Sequence, residues 1–192
     1  YESGRRLQRG YRVVIVGRSN TVKSSLFNAL LGRDRALVDE QPGTTRDYVE
    51  ERLDFQDLPI RLIDTAGFRS DADLVEAEGQ RSSERLGGEA DLAVFVLDRS
   101  ERVSPEDVAI YDSLEHKRIV PVLNKLDREP VTTGHDLAFL QGIPPVETSA
   151  LTGDGLGTLR GRIVGELRTA FASPRADKLQ VTRVRHRDLL QT

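Results

Sequence analysis

Residues 12–31 read RVVIVGRSNTVKSSLFNALL, and the order of features within them decides the fold. The β-branched run 12–16 stops at Gly17, as a strand buried on both faces would. Beyond it, Leu26, Phe27, Leu30 and Leu31 recur at helical spacing within KSSLFNALL. Strand, glycine-led loop and helix, in that order, frame a phosphate-binding loop of pattern G-x-x-x-x-G-K-[ST], in which backbone amides and a helix start surround phosphate. Gly17, Lys23 and Ser24 keep the required spacing, but Val22 stands where glycine normally precedes the lysine.

The same alternation continues outward. Residues 48–55 and 59–63 read as two strands joined by a turn near Gln56 and Asp57. Glu50, Glu51 and Arg52 mark the first as an edge strand with a wet face. Residues 73–86 read as a helix, and DLAVFVLD (91–98) as a buried strand. Ser104 and Pro105 open a further helix as N-cap and first position. Strands at 118–123 and 146–148 follow, then a helix over 156–171 that Ser173-Pro174 terminates. This pattern predicts an α/β domain, a mostly parallel six-stranded sheet with helices on both faces; together with the phosphate-loop pattern it resembles the Ras-like P-loop type. The expected organisation is a lead-in over residues 1–10, a main domain over 11–174 and a basic, helical tail over 175–192.

Composition narrows the function classes. With 192 residues, 38% of them hydrophobic and 31% charged, the chain suits one domain with a substantial core. A net charge of -3 gives no electrostatic reason for non-specific nucleic-acid binding. The absence of cysteine excludes disulfides and thiolate metal sites, and His116, His135 and His186 share no ligand spacing. No apolar run approaches the roughly 18 residues of a membrane span, so a cytoplasmic protein is expected. The start at Tyr1 and the lack of methionine suggest a fragment of a larger protein.

Four predicted strands end in polar motifs: GRSNTVKS, DTAG (64–67), NKLD (124–127) and TSA (148–150). In a parallel sheet these ends lie at one edge, where ligands bind. Each motif suits one task. Loop amides and the helix dipole favour phosphate, Lys23 adds a point charge, and the Ser24 hydroxyl can ligate magnesium. Asp64 can hold a magnesium-bound water, and the Gly67 amide can meet the terminal phosphate. Asp127, an acceptor-only carboxylate, matches the two donors on guanine's N1–N2 edge and so selects GTP or GDP over adenine nucleotides. Asn124 can support the base and its loop, and the Ala150 amide can donate to O6. Singly, NKLD could be a capping turn and DTAG an Asx turn; the ordered set argues against that reading.

These residues resemble a translation-factor-class GTPase domain. More narrowly, GRSNxxKSSLFNALLGRDRALV, PGTTRD and DTAGFR are similar to the tRNA-modifying GTPases of the MnmE (TrmE) family. The lead-in GRRLQRGYRVVIVG and the tail VTRVRHRDLL resemble that family's passages into and out of a helical domain. The Der (EngA) ribosome-assembly GTPases share much of the wording. The resemblance implies GTP hydrolysis in support of wobble-uridine modification, with a flavoprotein partner (MnmG/GidA), self-association through the G domain, and tRNA reached through the complex. It implies nucleotide contacts from Asn20, Thr21, Val22, Lys23, Ser24, Ser25, Thr44, Thr45, Asp64, Gly67, Asn124, Lys125, Asp127, Ser149 and Ala150. Magnesium would be held by Ser24, Thr45 and Asp64, and potassium by Asn20, Asp39, Gln41 and Thr44. Phe68 stands where many GTPases carry a water-orienting glutamine; by resemblance Glu76 takes that role, and potassium replaces an arginine finger.

Val22 departs from the pattern. A β-branched side chain is badly placed where the loop must approach phosphate closely. Losing two charge-assisted amide contacts at about 1.5–3 kcal/mol each would lower affinity roughly 10²–10⁴-fold. The expectation is a true GTPase domain with an impaired loop, by natural drift or by design. The rivals are a non-catalytic G-fold used for dimerisation and a Der-type ribosome-assembly domain.

Overall fold

In a computed structural model, residues 9–19, 23–32, 49–64, 90–114 and 117–171 are described. They form β1 (Tyr11–Val16), α1 (Lys23–Leu31), β2 (Val49–Phe55), β3 (Leu58–Asp64), β4 (Leu92–Asp98), α2 (Pro105–Ser113), β5 (Ile119–Asn124), a 3₁₀ turn (Ala138–Leu140), β6 (Val146–Glu147) and α3 (Leu156–Phe171). The six strands form one sheet in the order β2-β3-β1-β4-β5-β6. β2 runs antiparallel to β3; every other pairing is parallel. The expected mostly parallel six-stranded architecture is therefore the one observed, and β2 is the edge strand its charges predict. The expected lead-in, the helix over 73–86 and the tail fall largely or wholly outside the described residues.

Alternation of side chains sets the two faces of the sheet. In β1, Val13 and Ile15 join one core with Leu26, Phe27 and Leu30 of α1 and Leu159, Ile163 and Leu167 of α3. Val14 and Val16 face the opposite core with Phe95, Leu97 and Tyr111 of α2. β4 lies between β1 and β5, and all seven of its residues are buried, which explains its nearly unbroken apolar run. Each large side chain buried there stabilises the fold by about 1.5–3 kcal/mol.

Local chemistry fixes the ends. Gln56 and Asp57 both take positive φ, 50° and 64°, forming a primed turn whose twist suits the β2–β3 hairpin. Ser104 caps α2, and Asp107 returns a bond to the Ser104 amide at 2.9 Å, completing a capping box around Pro105. The 3₁₀ turn carries no periodic signal in the sequence. It exists because Phe139 packs edge-on against Tyr111 at 5.3 Å and Phe95 at 6.3 Å, while the Tyr111 hydroxyl donates to the Leu140 carbonyl at 3.4 Å.

Candidate nucleotide site

The order of strands places a topological switch at β1: from it the chain crosses to β3 on one side, then to β4 on the other. Because β1, β3, β4, β5 and β6 are parallel, Gly17, Asp64, Asp98, Asn124 and Thr148 fall at one edge of the sheet, the edge at which open α/β sheets bind ligands. The described parts of the four polar motifs, 17–19 with 23–24, Asp64, 124–127 and 148–150, belong to these strand ends. Asp98 adds a fifth strand end.

In the phosphate half, Lys23 opens α1 and is 8% exposed; its Nζ donates to the Arg18 carbonyl at 2.8 Å. The ammonium therefore folds back over the loop that precedes it. Ser24 and Ser25 lie exposed on the first turn of α1, and Asp64 is buried at the end of β3, in register with Ile15. Asn20, Thr21 and Val22 lie outside the described residues, as do Asp39, Gln41, Thr44, Thr45, Gly67, Phe68 and Glu76.

The base half is held by side chains that bond to backbone. Asn124 is 1% exposed, and its Oδ1 accepts from the Ala150 amide at 3.0 Å and the Thr148 hydroxyl at 3.3 Å. Loop 148–150 is thereby fastened to the end of β5, and the Leu126 amide adds a bond to the Thr148 carbonyl at 2.9 Å. The Ser149 hydroxyl donates to Asp127 Oδ1. That bond is the main reason the Asp127 carboxyl lies below its ordinary range, with slight burial opposing it and Arg128 and Lys125 assisting. Asp127 is therefore an anionic acceptor at neutral pH, its orientation set before any ligand arrives.

Lys125 takes φ +70°, a left-handed conformation that a side chain normally avoids at a cost of about 1–3 kcal/mol. Its ammonium pairs with the buried carboxylate of Asp98. Burial raises the Asp98 pKa, but bonds from Lys125 and from the Ser100 hydroxyl and amide outweigh it, so the net shift is downward. Such an ion pair fixes geometry more than it adds stability.

Asp98, Thr148 and Arg18 were not among the residues read as functional from sequence. For Asp98 the signal was available: it closes an apolar strand just as Asp64 does. Gly155, at φ +73°, is also required here, since a Cβ would meet the Glu147 carbonyl oxygen at 2.0 Å. It lets α3 start directly beneath the 148–150 loop.

A switch-point crevice with a lysine-bearing helix start on one side and an anchored Asn-Lys-x-Asp loop on the other defines a P-loop guanine-nucleotide-binding domain. The chain matches the 50S ribosome-binding GTPase family over residues 12–125, and it belongs to that family as a GTP-binding G domain. It is 39% identical to the tRNA modification GTPase MnmE of Bacillus subtilis over 99% of its length, and 42% identical to that of Aquifex aeolicus over 85%. It spans 41% and 36% of those two proteins. Among solved structures it resembles the G domain of the T. maritima FeoB iron transporter, with TM-score 0.60 and 28% identity over 81% of this chain and 98% of that one. It also resembles Aquifex aeolicus Era bound to GDP and aluminium fluoride, with TM-score 0.61 and 27% identity over 82% and 56%.

Proposed function

We propose that this domain binds GTP and hydrolyses it in support of wobble-uridine modification of tRNA, within a larger cytoplasmic protein that works with a flavoprotein partner. The observation that carries the reading is the anchored base loop: Asn124 accepts the Ala150 amide and the Thr148 hydroxyl and so holds loop 148–150 at the end of β5, while Ser149 orients Asp127, an acceptor that suits the two donors on guanine's N1–N2 edge. Similarity to MnmE along nearly the whole chain supports the tRNA-modifying assignment.

Lys23 meets the terminal phosphates as a point charge, its ammonium carrying two donors beyond the one given to the Arg18 carbonyl. Ser24 and Asp64 are hard oxygen donors, too few to complete a shell, which suits a magnesium ion that keeps waters and phosphate oxygens. Magnesium, when bound, neutralises charge on the phosphates. Thr45 joins that set. Asn20, Asp39, Gln41 and Thr44 supply oxygens for a potassium ion that takes the place of an arginine finger, and G-domain self-association completes that site. Glu76 orients the attacking water, since Phe68 cannot.

Val22 favours a second reading, in which the fold serves association without efficient turnover. GTP turnover in potassium and in sodium, for this chain and for Val22→Gly, separates the two. The expected result is at least about tenfold tighter guanine-nucleotide binding in Val22→Gly from recovered amide contacts, and faster turnover in potassium than in sodium. Equal turnover in both ions rejects the potassium mechanism, and no turnover in either favours the non-catalytic module.

A further inference from the structure

Arg18, the first residue after Gly17, does not point into solvent as a loop arginine would by default. Its Nη2 pairs with Glu101, and its Nε lies 3.5 Å from Asp107 Oδ1, with only 22% of its side chain exposed. Glu101 comes from the segment between β4 and α2, and Asp107 from the first turn of α2. Asp107 is the capping-box residue of α2, with a side chain 3% exposed, while Glu101 is half-exposed. At its other end, the carbonyl of Arg18 accepts the Lys23 ammonium at 2.8 Å. One residue thus touches the phosphate lysine through its main chain and a neighbouring element through its side chain.

That neighbouring element is itself fixed. The Thr132 hydroxyl donates to the Glu101 carbonyl at 2.5 Å, and the amides of Val131 and Thr132 donate to the Arg99 carbonyl at 2.9 and 3.1 Å. The Arg99 amide donates to the Asn124 carbonyl at 3.0 Å, and Asp98 holds Lys125. The segment 98–107 therefore bonds to the base-recognition loop on one side and to the phosphate loop on the other.

We propose that Arg18 is a positioning residue for phosphate recognition: pinned by Glu101 and Asp107, it fixes the main chain against which Lys23 is set and keeps the phosphate half in register with the base half. The inference rests on the reading of this crevice as a GTP site. A guanidinium suits the task because its planar fork can address two carboxylates at once, which an ammonium does with less directional control.

Two measurements test it. In the nucleotide-free chain, Arg18→Gln should raise amide hydrogen exchange about tenfold at residues 17–19 and 23–25, the size expected for one lost charge-assisted contact. Exchange in β5 and α3 should be unchanged. In calorimetry, Arg18→Gln should weaken GDP about tenfold while leaving GMP, which lacks the β-phosphate, nearly unaffected. Arg18→Lys should recover part of the GDP loss. Arg18→Gln combined with Glu101→Gln should cost less than the sum of the two single changes. Unchanged exchange at 17–25, or equal losses for GDP and GMP, overturns the proposal. If the parent chain binds no GDP yet the exchange still rises at 17–19 and 23–25, Arg18 pins the loop but the nucleotide reading fails, and with it the role in phosphate recognition.

Discussion

Replacing Asn124 by alanine should damage both the fold and the choice of base, and its size can be worked from the bonds that Asn124 makes. Its Oδ1 is the acceptor for the Ala150 amide and for the hydroxyl of Thr148, a residue with no solvent exposure. Removing it strands two donors, each costing about 1–3 kcal/mol when buried, the lower figure applying to Ala150, which water can partly reach. The net destabilisation is about 2–4 kcal/mol, or roughly 4–16 °C in Tm for a chain of this size. Thr148→Val supplies the contrast. It keeps the shape and removes only the longer of the two bonds, so it should cost about 0.5–1.5 kcal/mol. Denaturant unfolding of parent and both variants measures the stability, and competition between GDP and ADP measures the discrimination. Asn124→Ala should lose most of its preference for GDP over ADP, because loop 148–150, which holds Asp127 through Ser149, is no longer fastened to the end of β5. An Asn124→Ala protein with parental Tm and parental GDP preference would refute the reasoning, as would a Thr148→Val defect as large as that of Asn124→Ala.

Three further outcomes follow from the same geometry. Asp127→Asn should shift preference from guanine to xanthine nucleotides, because one acceptor oxygen becomes a donor; competition with XDP reads it, and an unchanged order of preference would exclude Asp127 from base recognition. Gly155→Ala should destabilise the domain by about 2–4 kcal/mol, from positive φ together with the overlap against the Glu147 carbonyl, and a thermal melt within a degree or two of the parent would contradict the fit. The Asp98 carboxyl titrates below its ordinary range, so its contribution is present above the unfolded-state pKa and disappears as pH falls through the folded value. The stability gap between parent and Asp98→Asn should therefore be widest near neutrality and close in strong acid; a gap constant from pH 7 to about pH 2 would show that ionisation is not what matters.

Much of the fold was legible because its elements carry strong local signals. The helices Lys23–Leu31 and Leu156–Phe171 begin and end where periodicity and breakers place them, and β4 is an apolar run too continuous to be anything but a central strand. The edge position of β2 follows from its charges. Strand limits differ by a residue or so because strand ends are set by partners: β3 extends to Asp64 since Ile15 of β1 and Val49 of β2 both pair with that position. The 3₁₀ turn was illegible for a related reason, since its cause is an aromatic contact with residues far away in sequence. In the site, motif order placed Lys23, Asp64, Asn124 and Asp127 at one edge. Asp98 carried the same strand-end signal as Asp64 and could have been read, whereas the contacts of Arg18 needed coordinates, because an arginine in a loop acquires meaning only from the partners it faces.

The two halves of the crevice are built differently, and so they fail differently. Base discrimination is a difference between two ligands that share the same phosphates, so any defect confined to the phosphate loop cancels from it. Asp127, Ser149, Asn124 and Ala150 are fastened to one another by bonds that involve no residue of the 17–25 segment. A valine at position 22 can thus lower affinity for GTP and GDP together while leaving the preference for guanine intact. On the proposed reading, turnover would be more exposed to the same change, because the phosphate loop and Lys23 would stabilise the transferred phosphoryl group and the base loop would not. A defect at Val22 would, on that reading, slow hydrolysis while leaving the choice of guanine unchanged. Nucleotide occupancy and catalytic rate would then be separable properties of the fold, occupancy resting on both halves and rate on one.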